Sequence, residues 1–455
     1  MSPAFIIVIS ISYVGILFGI AFFTEKRSRT GRSLVNNPYI YSLSLAVYCT
    51  AWTFFGSVGK AANSGIDFLP IYLGPSIAAI LWWFVLRKMI FISKSQRITS
   101  IADFISSRYG KSIFLGAMAT VIAIFCVIPY ISIQLKAVAI SYDILIRPDG
   151  HAWSAEQFKA LPFYLDSSWY IAILLAIFTI LFGTRNLDPN ERHEGLVAAV
   201  AFESVLKLVA FFTIGLFVTY GMFNGFGDLF SKALEHPEIS KVFSLQTGGI
   251  DGWYWFWLTL LSMFAILFLP RQFHIAVVEN TNPNFVKKAA WVFPLYLLLI
   301  NLFVLPIAVG GMLKLGPSAN PDMFVLSLPL SEGHHVLAFF VALGGFSAST
   351  GMVIVAVTAL SIMISNNIVM PMLLRSATIQ DNNVSNLFQR LLGIRRVSVV
   401  MVLILSYGYF KFVSSKYTLV SIGLISFAGV AQFAPVVLGG IFGNAGPVLV
   451  QLPDS

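Results

Sequence analysis

The sequence predicts an all-α integral membrane protein, a bundle of about eleven transmembrane helices. Three observations predict it. Of 455 residues, 57% are hydrophobic and only 11% are charged, where a soluble domain carries roughly 25% charged residues. Apolar runs close to the roughly 20 residues that cross a bilayer recur from one end to the other. The basic residues gather in alternate short loops between those runs.

The expected helices follow in order. The first is Pro3–Phe23; it reads as a retained span, because a full-length apolar run is followed by Lys26-Arg27-Ser28-Arg29 without a convincing cleavage site. The second is Tyr41–Val58 and the third Leu69–Leu86. The fourth, Ile113–Leu145, is long and carries Pro129 in its middle. Ser168–Gly183, Gly195–Phe223, Gly252–Leu269 and Ala289–Leu313 are the fifth to eighth. The ninth, His334–Leu374, is very long, and Val397–Val413 and Thr418–Phe442 complete the set.

With the N-terminus outside, the inner loops hold 19 Lys and Arg and the outer loops eight, while Lys136 and Lys207 lie within helices. The positive-inside rule therefore predicts N-out, C-in, which an odd number of spans requires. The net charge of +9 does not point to nucleic acid, since its carriers sit in these short loops. Cys49 and Cys126 lie inside apolar runs and read as small core residues. There is no Gly-x-x-x-x-Gly-Lys-Ser/Thr run, which argues against ATP-driven pumping by this chain. No metal-ligand spacing is visible, and adjacent His334 and His335 do not share a helix face.

Four features go beyond a generic bundle. Ser44 to Ser57 is dense in small and hydroxyl residues, with Gly56 and Gly59 at its end. Such a segment can unwind and offer carbonyls to an ion, or it can be a tightly packed helix with small residues at its contacts. Gly344-Gly-Phe-Ser-Ala-Ser-Thr-Gly351 offers Ser347, Ser349 and Thr350 to a small hard cation, or back to their own helix carbonyls. Glu203 and Lys207 stand four apart in the sixth helix, the favourable order for an ion pair; intramembrane charges are costly and face a partner or water. Trp253-Tyr-Trp-Phe-Trp257 reads as an interfacial belt, or as a cover over a binding site.

The order of features resembles the sodium:solute symporter family from Pro3 to Phe442. The resemblance rests on Ala46–Trp52 with Ser64-Gly65, on the basic loop Arg97–Tyr109, on Pro270-Arg-Gln-Phe-His-Ile-Ala276, and on Ser349-Thr350. Within the family, Glu191–Ser204 and Val430-Ala-Gln-Phe-Ala-Pro435 are most similar to the membrane part of certain bacterial sensor histidine kinases. The resemblance implies a leucine-transporter-type five-plus-five inverted repeat. Residues 1–39 would be the first helix and a basic inner loop, and 40–223 the first half of the core. Residues 224–251 would form an outer loop, 252–443 the second half, and 444–455 a short tail. It implies a bacterial inner membrane protein that moves a small organic solute, an amino acid being the expected class, coupled to sodium or protons. The alternative it implies is a solute-sensing domain cut off before its kinase, a histidine kinase module being then a partner in the full-length protein. No catalytic domain is expected in this chain.

The resemblance also implies the site. Sodium would lie at the carbonyls of Ala46 and Cys49 and the hydroxyls of Ser349 and Thr350, beside Phe346. The expected solute-binding residues are Tyr48, Thr50, Trp52 and Trp257, and the proton-linked candidates are His193 and Glu203. Two departures weigh against sodium. Tyr48 stands where family symporters carry an aspartate, and a second family aspartate falls near His193. A phenol supplies none of a carboxylate's charge to a cation. The discontinuous segments are expected at Tyr48–Phe55 and at Trp257–Phe264. Family look-alikes continue with two more spans, whereas here the tail from Asn444 to Ser455 is broken by Pro447 and Pro453; a truncated product of a longer gene is the expectation.

Overall fold

The computed structural model describes residues 3–146, 162–183, 193–243, 252–316, 319–375, 384–413 and 418–443. The tail 444–455, Glu191 and Arg192 lie outside them. Among the described residues every regular element is helical.

The membrane character is visible on the outside of the bundle. Trp291, Phe125, Phe114, Ile80 and Leu298 are between 66% and 79% exposed. In water such a surface would aggregate; facing acyl chains it costs nothing. Among the described residues six helices are long and apolar enough to cross a bilayer: Ile113–Ile146, Glu194–Met222, Phe285–Leu315, His335–Leu374, Gln389–Phe412 and Leu419–Phe442. Two bent pairs, Trp52–Phe68 with Pro70–Leu81 at 62° and Gly252–Phe268 with Pro270–Val278 at 48°, raise the number to eight. The first expected span is the 27-residue helix Pro3–Arg29.

Several expected boundaries move for local reasons. The third expected helix turns at Trp82–Val85 and continues as Leu86–Gln96, ending where Arg97 takes the left-handed conformation (φ 53°). The basic loop is itself helical over Ile101–Arg108: Ser100 accepts from the Asp103 N–H, and Asp103 accepts in return from the Thr99 N–H. The outer loop holds Phe226–Glu235 and Pro237–Phe243. The eleventh expected helix is divided into Leu419–Ala431 and Phe433–Phe442.

The two expected discontinuities have different causes. In the second expected helix, Pro38–Leu45 tightens into a 3₁₀ turn at Ala46–Tyr48, and Cys49 leaves helical geometry (φ −79°, ψ 99°). Helix resumes with one wide turn over Trp52–Gly56. In the seventh, the expected break at Trp257–Phe264 is not there: Gly252–Phe268 is continuous. The chain departs instead at Leu269 (φ −58°, ψ 130°). Leu269 precedes Pro270, and the proline ring drives its neighbour out of the α region.

The His335–Ile364 helix runs through the centre, against Glu194–Leu216 and Ile113–Ile146. Its glycines permit this. A Cβ on Gly344 would lie 2.3 Å from the Ala210 Cβ, and one on Gly345 would lie 2.2 Å from the Phe55 ring. These close approaches press the central helix onto the Glu194–Leu216 helix and onto the broken one, the small-residue packing of membrane helices.

Gly345→Ala is expected to lower thermal stability in detergent by about 1–3 kcal/mol, the usual range for overpacking. Gly393→Ala, where a Cβ meets nothing within 4 Å, is the neutral control; equal midpoints for the two variants would contradict this packing.

Candidate functional site

Breaking a helix at bilayer depth releases backbone groups that lipid cannot satisfy. Around Cys49 the protein meets them from three directions. The Ala51 N–H donates to Oε1 of Gln134, on the Ile113–Ile146 helix, at 3.0 Å. The Trp52 N–H donates to Thr50 Oγ1 at 3.2 Å, and that hydroxyl shares a 3.2 Å hydrogen bond with the Tyr130 hydroxyl. The carbonyls of Ala46 and Cys49 each accept from the ammonium of Lys207 at 2.7 Å. Lys207 is 3% exposed and reaches the break from the Glu194–Leu216 helix.

Glu203, one turn away, turns elsewhere. Its Oε1 accepts from the Tyr13 hydroxyl at 3.1 Å and from Thr350 Oγ1, while Oε2 has no hydrogen-bond partner. Gly351 leaves the room: a Cβ there would lie 2.2 Å from Oε2. Tyr13 comes from the first helix and Thr350 from the central one, so one carboxylate ties three helices. No direct ion pair joins Glu203 and Lys207 among the described residues.

The residues suggested for sodium are therefore partly engaged. Ala46 and Cys49 face Lys207. Thr350 Oγ1 also donates to the Phe346 carbonyl at 3.0 Å, and Ser349 Oγ to the Gly345 carbonyl at 3.0 Å. Both hydroxyl residues are buried, on a helix packed against the Ala46–Tyr48 turn.

The structure brings three of the four suggested solute-binding residues together. Tyr48, Thr50 and Trp52 are all buried at the break. Tyr48 donates to the Ile71 carbonyl at 2.9 Å and lies between Phe293 and Phe427. Trp52 meets Phe427 edge-on, and its indole N–H has no partner. Trp257 does not join them. It is 58% exposed and stands twelve residues before the break at Leu269, about 18 Å along a helix axis.

Arg271 takes the place that Trp257 leaves. As a residue counted among inner-loop cations it gave no site signal, yet it is 1% exposed, in the short Pro270–Phe273 helix just past the second break. Its guanidinium lies on the Tyr130 ring, 4.3 Å from the centroid, and none of its three nitrogens has a hydrogen-bond partner among the described residues. The side-chain amide of Gln272 is unpartnered as well. Buried polar groups are nearly always satisfied, so such a cluster calls for an explanation.

His193 belongs to a different place. Glu279 accepts from the His193 N–H at 2.9 Å and pairs with its Nδ1 at 2.8 Å, while His274 Nε2 lies 3.2 Å away. The carboxylate thus caps the Glu194–Leu216 helix, where the dipole favours an anion. Burial lowers the His193 pKa, but Glu279 more than offsets it and the net shift is upward. Burial raises that of Glu279, and the two histidines bring it well below the carboxylate range. His193, His274 and Glu279 place ligand atoms within 4.8 Å of one another, a grouping that residues some 80 positions apart could not announce by spacing. Both Glu279 oxygens are already used in the helix cap.

A cavity of about 540 Å³ lies between the first helix and the helices of Ile113, Ser167 and His335. Its wall is mainly apolar and includes Phe346, but none of Tyr48, Thr50, Trp52 or Arg271.

Two discontinuous helices in a helical bundle, with ionisable groups at the breaks, are a recurrent feature of membrane transporters. The comparisons agree. The profile of the sodium:solute symporter family matches residues 29–146. Two Bacillus subtilis (strain 168) proteins are similar: the uncharacterized symporter YhjB, 23% identical over 338 residues, and the uncharacterized symporter YodF, 22% identical over 450. The matches cover 72% and 96% of this chain; they span 64% of YhjB and 82% of YodF. The solved structure of a Na+-coupled sialic acid symporter, substrate-bound and outward-open, superposes with a TM-score of 0.63 at 13% identity, covering 96% of this chain and 86% of that one. The chain is similar to the sodium:solute symporter family over residues 29–146, and it has the leucine-transporter-type fold of that solved structure.

Gln134→Leu leaves the Ala51 N–H without an acceptor and is expected to cost about 1–3 kcal/mol, read as thermal stability in detergent; no loss would mean that the break needs no such support. The His193–Glu279 pair gives a pH signature. A raised His193 pKa contributes stability that is complete below about 6.5 and fades as pH rises through the folded value. A depressed Glu279 contributes above about 4.5 and fades in acid. The stability gap between wild type and Glu279→Gln is therefore expected to be widest between those values and to narrow above them; a gap independent of pH would contradict the ion pair.

Proposed function

We propose that this chain is a secondary active symporter for a small organic solute bearing a carboxylate, an amino acid being the expected class, with sodium or protons as the coupling ion. Family and fold support transport as such. The observation that carries the solute class is Arg271. A guanidinium presents five N–H donors in a planar fork that matches a carboxylate with two parallel hydrogen bonds. Here that fork is buried, held on the Tyr130 ring, and has no acceptor among the described residues. Leaving it so is costly in the absence of an anion. Tyr48, Thr50 and Trp52 flank the same region from the other broken helix and offer aromatic surface and an indole donor to the rest of the solute.

The reading makes sense of the paired breaks. A solute seated between them touches both halves of the fold, so its binding energy can bias the rocking of one against the other. The cytoplasmic membrane of a bacterium, with the N-terminus outside, is the setting we infer from the excess of Lys and Arg in alternate loops.

Uptake of labelled amino acids into proteoliposomes, under separate sodium and proton gradients, tests the reading. Arg271→Gln is expected to weaken uptake of a carboxylate solute by about 30-fold or more, on the scale of losing a buried charged hydrogen-bond partner. Arg271→Lys keeps the charge without the fork and is expected to fall between. Uptake unchanged in Arg271→Gln would refute the carboxylate assignment, and binding of an amino acid without uptake under any gradient would favour a sensory role.

A further inference from the structure

We propose that Lys207 is a built-in cation: its ammonium fills the carbonyl pocket at the first break, so that sodium does not bind there. The family makes sodium the ion to test against this pocket, and the residues present do not fit it. The two carbonyls that would coordinate sodium, those of Ala46 and Cys49, both accept from Lys207 Nζ at 2.7 Å. The two hydroxyls on the facing helix are already engaged as donors: Ser349 to the Gly345 carbonyl, Thr350 to Glu203 and Phe346. A side chain is thus already doing what a dissolved ion would do.

The chemistry of the substitution is favourable. An ammonium is a compact monovalent cation with three donors on a flexible four-carbon stem. That stem lets Lys207 cross from the Glu194–Leu216 helix to the break while its head stays buried. Two of its donors take the two carbonyls that the break sets free. The neighbouring Glu203, with one oxygen unpartnered, is an acidic side chain within electrostatic range. A second cation about 4 Å from the ammonium would be opposed roughly a thousandfold in affinity at an effective dielectric constant near 20. Tyr48, in place of an aspartate, gives no charge to offset this. The same tether explains how the carbonyls stay satisfied throughout the cycle: the cation cannot diffuse away, and the break is never left bare.

The inference deepens the transport reading above and rests on it only for what the cation means. Its assay uses no solute, so a protein that takes up nothing still answers the sodium question. Purified protein is titrated with radioactive sodium at constant ionic strength, with potassium as the replacement salt, and bound sodium is counted. Wild type is expected to show no saturable site that Ser349→Ala or Thr350→Ala removes. Lys207→Ala, which withdraws the ammonium but keeps both carbonyls and Glu203, is expected to bind one more sodium per chain than wild type. Saturable wild-type binding that is lost in Lys207→Ala, Ser349→Ala or Thr350→Ala would overturn the proposal, and so would a folded Lys207→Ala that gains no sodium. Should Lys207→Ala not fold, the wild-type titration with the two hydroxyl variants decides alone: a site sensitive to either refutes the built-in cation, and its absence upholds it.

Discussion

The bond from Lys207 to the carbonyls of Ala46 and Cys49 is the contact on which the centre of this protein depends. A broken helix in a bilayer has carbonyls that no water satisfies, each costing several kcal/mol if left alone. An ordinary soluble helix would simply not break there. This one can, because a cation carried by its neighbour takes both carbonyls and Gln134 takes the next N–H. The tie also holds the Glu194–Leu216 helix against the break. Through Glu203 that helix is fastened to the central helix and to the first one. Backbone satisfaction, helix packing and placement of the site are one arrangement seen from three sides.

How much of this the sequence disclosed depends on the range of the physics. The spans were legible, since twenty apolar residues must be a helix in lipid whatever they touch. The first break was legible from the small and hydroxyl residues of Ser44–Ser57. The second was misplaced by several residues: the aromatic run from Trp253 drew attention upward, while the effective signal was the restriction that Pro270 places on Leu269. Helices in the basic loop were missed, although Ser100 and Asp103 form a readable cap. Arg271 was hidden for a different reason. A cation beside a proline at the end of an apolar run looks like any loop cation, and only the fold shows that it points inward. The same applies to Lys207, whose i, i+4 spacing from Glu203 suggested a partner on its own helix when its partners lie 158 and 161 residues away.

The two breaks are built differently, and the difference suits different tasks. At Leu269 the departure is enforced by covalent geometry. The Pro270 ring disfavours helix at its neighbour whatever else the protein does, and the short helix after it carries Arg271. At Cys49 no residue forbids helix; non-covalent contacts hold the segment open, and contacts can be exchanged. A rigid corner presents the guanidinium at a fixed angle, while a contact-held corner can adjust around a solute.

The charges at the centre then form a single account. Arg271 and Lys207 are buried cations within electrostatic range of each other, and Glu203 is the buried carboxylate nearby. Two buried basic side chains face one buried acidic one there, and a low-dielectric interior makes any uncompensated cation expensive. A second cation such as sodium would add to that cost; a carboxylate solute would relieve it. The bare guanidinium and the occupied carbonyl pocket therefore support the same conclusion from opposite directions. On the proposed reading, a site with its own cation in place receives a negatively charged group, and Arg271 is where that group would land.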